Sequence, residues 1–343
     1  MLFASRLVLG TLLTIVLLGF GEAGSSAGEP GALAAGVQKD ELPPLDPSIV
    51  DESVSRAVRF LRGAQKESGL WGEGDGKSVG QGGGWAVAYT ALVGLALIET
   101  GVRTNDTAII KAARIVRLGA YQLVDTYEIS LAILFLDKLK DAKRDDPIIR
   151  MLAARLIAGQ TITGGWKYKV PKIYENDTKE MMAALKKMAG TAAPAATVSY
   201  RERPSSLNLC IKTSDDIVVK PSRAAFGAEE VEKKRAAVVK TLPQQLKKVQ
   251  AFQPPGKLDA LPMEQRTKLI ENEKGDNSNV HFAMIGLWAA RRHGVPTERV
   301  FELVAHRYRT SQDGGSGGWG YFYPQNGSTP AMTCVALLGL AIG

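Results

Sequence analysis

The sequence predicts an all-α fold built from repeated helical hairpins, and three features of its 343 residues carry that expectation. Segments with an apolar stripe at helical spacing alternate with segments that are apolar all round. Glutamine, glycine and tryptophan recur together at the turns between them, in Gln65–Trp71, Gln160–Trp166 and Gln312–Trp319. Trp71 and Trp166 lie 95 residues apart, or about 47 per hairpin, the period of a helical repeat.

The chain opens with a short basic start, Met1–Arg6, then fourteen apolar residues, Leu7–Phe20, then mostly small ones through Ala27. That layout is a secretory signal peptide, residues 1–23 if the cut comes after Ala23 and slightly longer if it comes after Ala27. Fourteen helical residues span about 21 Å, short of the roughly 30 Å hydrocarbon core, although an uncleaved anchor exports the chain equally well. The expected location is secreted, periplasmic or cell-envelope. No nucleic-acid partner is expected there, despite a net charge of +8. Residues 24–50, rich in Gly, Ala and Pro, read as a flexible leader.

The first part of the repeat scaffold spans residues 51–168. Val54, Val58 and Leu61 form an outer-helix stripe opposite Arg56, Arg59 and Arg62. After the turn at Trp71, Ala86–Ile98 has no charge and no polar face, so it must be surrounded by protein. A second, degenerate hairpin pairs Ala108–Gln122 with Tyr127–Leu139 and has no tryptophan at its turn. Ile148, Ile149, Leu152, Leu156 and Ile157 make the next outer stripe, with Arg144-Asp145-Asp146-Pro147 read as its cap and first turn. Its inner partner is Asn279–Arg291, and the last outer helix, around Val300, Phe301, Val304 and Tyr308, pairs with Ala331–Ile342. These two belong to the second scaffold segment, 276–343.

At each turn the glycines (Gly164, Gly165, Gly317 and Gly318 among them) allow a tight reversal. Trp71, Trp166 and Trp319 cover helix ends, and Gln65, Gln160 and Gln312 bond freed backbone groups. These residues are read as structural.

Residues 169–275 break the pattern. Lys167 through Lys274 hold 21 basic and 13 acidic residues, so this insertion carries the whole net charge. It reads as peripheral, with a linker at Ala189–Ala196, a basic helix over Glu229–Val249 and a turn at Gln253–Gly256. As a function, the charge suits contact with an anionic envelope polymer or a membrane surface, and as structure it is a solvated face.

The tandem glutamine–glycine–tryptophan turns between paired helices resemble the prenyltransferase and squalene-oxidase repeat of squalene–hopene cyclases. Gln160–Trp166 and Gln312–Gly320 carry the likeness best, with Gln65–Gly72 a weaker copy. Asp276–Asn279 leading into His281 looks like a repeat protein of this type from bacterial envelopes. The resemblance covers a little over half the chain and implies an α/α toroid, inner helices lining a central cavity and outer helices forming a second ring. Such toroids usually have five to six hairpins, and this sequence supplies about four. The last helix is apolar through Gly343, which predicts a ring that is truncated or is completed by a partner, with self-association through that end as one outcome.

The family's chemistry does not carry over. Its cyclases use Asp-x-Asp-Asp, and the nearest strings here are Ser214-Asp215-Asp216 and Asp145-Asp146. The diphosphate motif Asp-Asp-x-x-Asp is missing, and Met332 stands where a zinc-binding Asp would precede Cys334, which reads as a small core residue. Two cysteines cannot form a disulfide framework, and three histidines leave little room for a histidine-built metal centre. No metal or cofactor is expected. The remaining candidate catalytic residues are Asp125, Glu128, Asp276 and His281, polar groups at inner-helix starts. Asp125 and Glu128 equally have the spacing of a capping box. Trp85, Tyr89, Tyr127, Phe282 and Trp288 are the candidate cavity wall, suited to carbocations, sterols or sugars and equally to plain packing. The leading expectation is a non-catalytic binding or scaffold module. The alternative is a divergent terpenoid cyclase, a transferase or a carbohydrate-active enzyme.

Overall fold

The computed structural model describes residues 47–72, 84–189, 228–253, 259–272, 275–323 and 327–343. The expected leader, the 189–196 linker, the Pro-Pro-Gly turn and Asp215-Asp216 lie wholly or largely outside these residues. Within them twelve α-helices run in order: α1 Pro47–Ala64, α2 Gly84–Glu99, α3 Thr107–Gly119, α4 Thr126–Leu139, α5 Ala142–Gly159, α6 Glu175–Ala189, α7 Ala228–Thr241, α8 Gln244–Lys247, α9 Met263–Asn272, α10 Asn277–Ala290, α11 Glu298–Ser311 and α12 Pro330–Ile342. Among the described residues there is no strand, only two isolated bridges, and no helix is long and apolar enough to cross a membrane.

The inner helices stand in a row, α2 against α4, α4 against α10, and α10 against α12. Outer helix α3 packs on α2 and α4, α5 on α4 and α10, and α11 on α12. One apolar core runs through all of these, from Trp71 and Val87 to Trp319 and Val335.

Caps mark the helix starts as local chemistry requires. Asp106, Asp125 and Asp276 accept from Ala108 N, Tyr127 N and Asn279 N, and Thr329 accepts from Met332 N ahead of Pro330. Helix α5 starts a turn earlier than its sequence suggests: Asp141 is the cap, and Pro147 sits inside the helix. Asp145 is not a cap. It is buried and receives Arg117 Nε at 2.7 Å and Nη2 at 2.9 Å.

The three tryptophan turns repeat one geometry. Each indole N–H donates to the carbonyl four residues before the turn glutamine: Trp71 to Leu61 (2.7 Å), Trp166 to Leu156 (2.7 Å) and Trp319 to Tyr308 (2.9 Å). Each glutamine Nε2 bonds its own turn, Gln65 to Gly69 O, Gln160 to Gly164 O and Gln312 to Gly317 O. Gln65 and Gln160 also reach the next outer helix, at Ala108 O (3.0 Å) and Val300 O (3.1 Å). Gly164 has φ +75°, and a side chain there would strike the Leu303 carbonyl of α11.

An arginine answers from the other side. Five residues before each of the last two glutamines, Arg155 and Arg307 point back into the preceding turn. Arg155 donates to Ala120 O, Tyr121 O and Leu123 O, closing the hairpin that has no tryptophan. Arg307 is fully buried and donates to Thr163 O, Thr163 Oγ1, Gly275 O and Asn277 Oδ1, with its guanidinium 4.6 Å from the Tyr323 ring centre.

The insertion is not peripheral where it is described. Helix α6 packs on α5 and α7 on α6, while the Gln250–Phe252 turn touches both α5 and α11. Met181, Leu185, Leu246, Ala251 and Phe252 are buried in the common core. Periodicity of the hairpins did not reveal this, because the contacting residues are scattered across short elements. His306 also differs from its sequence reading: it pairs with Asp259 at 2.9 Å, while Glu302 pairs with Arg299.

Replacing Trp166, which is fully buried, with Ala is expected to cost about 3–5 kcal/mol. Arg307→Ala, which strands several buried carbonyls, should cost about 2–4 kcal/mol. Urea unfolding monitored by circular dichroism checks both.

Candidate functional site

The short segments just beyond Trp166 and Trp319 build the site. After Trp166 the chain runs antiparallel to the entrance of α4, with Thr126 N donating to Tyr168 O (2.7 Å) and Val170 N to Val124 O (2.8 Å). After Trp319 it does the same at α10, with Asn277 N donating to Tyr321 O at 2.8 Å. The first helical side chain joins in each time: Thr126 Oγ1 donates to Lys167 O, and Asn277 Nδ2 to Gly320 O. Each pairing carries a tyrosine, two residues beyond the tryptophan, to the mouth of an inner helix.

There the rings meet. Tyr127 stacks with Tyr168 at 6.1 Å between centroids and lies 4.3 Å from Phe282. The Tyr127 hydroxyl is 2.5 Å from Ser278 Oγ and neighbours Tyr321, which in turn hydrogen-bonds with Tyr168. Phe322 packs edge-on against Tyr321 at 4.9 Å. Tyr168, Tyr321 and Phe322 are exposed, while Phe282 is buried. The result is an open aromatic platform across the N-termini of α4 and α10. Burial holds the Tyr127 and Tyr321 hydroxyls protonated, well above the ordinary tyrosine range.

The candidate acids lie under the platform and are occupied. Asp125 and Glu128 form the capping box their spacing allows: Asp125 accepts from Tyr127 N (3.1 Å) and Glu128 from the Asp125 backbone. Lys169 Nζ stands 3.5 Å from the Asp125 carboxylate. Burial, then the Asp125 charge, pushes Glu128 up to about 7. Burial also raises Asp125 and Asp276, each opposed by the backbone N–H groups it caps. Asp276 accepts from Asn279 N (2.6 Å) and Nδ2 (2.7 Å). His281 is buried beside Phe282, and burial pulls it down to about 4; its Nδ1 has no partner among the described residues.

The expected cavity wall divides. Tyr127 and Phe282 belong to the platform. Trp85 and Tyr89 are exposed on α2, 6.1 Å apart, and Trp288 lies at the far end of α10 with Arg292 5.4 Å over its ring. A cavity of about 420 Å³ lies away from the mouth, between Val54, Val58 and Arg62 of α1 and the Thr100–Asp106 loop. Tyr168, Lys169, Ser278, Tyr321 and Phe322 were not among the expected site residues. The repeated Trp-x-Tyr of Trp166–Tyr168 and Trp319–Tyr321 is the signal that marks them. Among the described residues no three His, Cys, Asp or Glu side chains come together as a metal site.

Glu128 favours its protonated form when folded, so its contribution is complete below pH 4.5 and is lost as the pH rises through about 7. His281 favours its neutral form, so its contribution is complete above pH 6.5 and is lost as the pH falls through about 4. The two windows overlap and their slopes oppose between about pH 4.5 and 6.5, so melting temperature should be level there and fall toward pH 4 and toward pH 7. Glu128→Gln should remove the alkaline fall and leave a rise from about pH 4 to 6.5, and melting curves taken across the range check it.

No family model matches the chain, and neither a curated protein nor a solved structure matches it.

Proposed function

We propose that this protein is an exported α/α-toroid repeat protein of the squalene-cyclase type that binds a ligand without transforming it. The observation that carries the reading is the division of labour at the mouth. Asp125 caps its helix with one oxygen and meets Lys169 with the other, and Asp276 gives both oxygens to Asn279, while Tyr168, Tyr321 and Phe322 present rings to solvent. The ordered row α2, α4, α10, α12 with helices behind it supports the toroid class. Flat rings edged by tyrosine hydroxyls, with a carboxyl that is half-neutral near pH 7, suit a neutral ligand having an apolar face and hydroxyls, which is the chemistry of a glycan. An envelope location supplies such chains. The exposed Lys233, Lys234 and Lys240 of α7, with Lys248 just after α8, give an anionic envelope polymer or headgroup a second, salt-sensitive contact.

Titration of the purified chain with soluble envelope glycan fragments, read by intrinsic fluorescence, tests this. Binding should weaken about tenfold or more in Tyr168→Ala, and the glycan should be recovered unchanged. No binding of any fragment would overturn the reading.

One observation favours an enzyme instead. Glu128 holds its proton near neutrality beside a second carboxylate, as a general acid does. On that reading glycan or squalene is converted, and Glu128→Gln abolishes turnover while leaving binding intact. Product analysis by mass-resolved chromatography separates the two.

A further inference from the structure

We propose that copies of this chain associate head to tail, the α11–α12 end of one docking on the α1–α2 end of another. The occupant is set by continuity with the interface that joins the hairpins within the chain. Trp71 N donates to Thr90 Oγ1 at 3.3 Å and Trp319 N to Thr333 Oγ1 at 3.1 Å, which superposes the first inner helix on the last. Ala91, Gly94, Leu95 and Ile98 of α2 then correspond to Cys334, Leu337, Leu338 and Ala341 of α12. In α2 this stripe is covered: Ala91 and Leu95 are buried, Ile98 is half-buried, and Gly94 is pressed against the Phe135 ring of α4. In α12 the same stripe is bare, with Leu337 56% and Leu338 37% exposed and Cys334 and Ala341 exposed beside them. Cys334, expected in the core, is exposed instead.

The other end is the complement. Helix α12, which packs on α10 and α11, buries Met332, Val335 and Ala336. Their counterparts on α2 are Tyr89, Leu92 and Val93, of which Tyr89 is 44% exposed and the others half-buried. On α1 the register is equally telling. Five residues before Gln65 stands Phe60, where α5 and α11 place Arg155 and Arg307 and send them into the preceding turn. Among the described residues no turn precedes Phe60, which is 73% exposed.

Gln312 completes the match. Its Nε2 bonds its own turn at Gly317 O, but among the described residues it lacks the second acceptor that Gln65 and Gln160 find on the next outer helix. A second copy offers the opening of α1 for that bond, Phe60 for the turn and the Tyr89 face for the Leu337–Leu338 stripe. Such an interface is heterologous, with different surfaces on the two sides.

Sedimentation of the purified full chain tests the proposal. The weight-average mass should rise above one chain with concentration. Phe60→Asp and Leu337→Glu, both at exposed positions, should each weaken self-association at least about 30-fold while keeping wild-type circular dichroism and cooperative melting. Mixed together they should form one-to-one dimers, because each retains the end that the other lacks. If either variant unfolds, Tyr89→Lys and Leu338→Lys replace it. A wild-type monomer at all concentrations overturns the proposal, and so does a mixture that stays monomeric. Dimerisation of Phe60→Asp by itself, an α12-to-α12 contact, overturns it too.

Discussion

A glutamine amide has two hydrogens, and where it is buried both must find carbonyls in a place closed to water. At Gln160 one goes to Gly164 of its own turn and the other to Val300 on the next outer helix, across 140 residues of sequence. The amide therefore fixes the distance between neighbouring hairpins, much as a strut fixes two beams. Arg307 reaches back across the same seam to Thr163 and Gly275. Losing either partner would leave buried carbonyls unpaired, so the seam closes as a unit.

That seam positions both ends of the inner helices. With the hairpins locked in register, the chain leaving Trp166 and Trp319 pairs with the entrance of the neighbouring inner helix. Tyr168 and Tyr321 are thereby delivered to adjacent mouths, and their hydroxyls converge with Tyr127 and Ser278. The opposite end of the row is held by charge. Asp137 of α4 is buried, and although burial alone would raise it, the Arg292 and His293 hydrogen bonds hold it below the ordinary carboxylate range. His293 also meets Asp146 at 2.7 Å, so the ends of α4 and α10 and the start of α5 share one network.

The insertion exploits the same architecture. It leaves the scaffold after the tryptophan turn of the third hairpin and returns before α10, where the repeat tolerates extra chain because the seam is closed on both sides. Its Gln250–Phe252 turn, with Phe252 buried, bridges outer helices α5 and α11. Its described lysines are exposed or, at Lys247, half-buried, which keeps their charge in water and the apolar residues in the core.

The hairpins are legible in the amino-acid order alone. Periodicity, charge-free inner segments and the Trp71, Trp166 and Trp319 turns are local signals, and the helices form where those signals place them. Asp125, Glu128 and Asp276 are equally legible as residues at helix starts, because capping is settled within four residues. Other roles exist only in three dimensions. Arg155 and Arg307 read as ordinary helix residues, and they matter only because another hairpin's carbonyls lie opposite. Tyr168 and Tyr321 read as loop residues until chain pairing sets them over Tyr127. Cys334 and Leu337 carry a core composition, yet burial is a property of neighbours, and among the described residues the neighbour that covers Ala91 and Gly94 in the first hairpin has no counterpart beside the last.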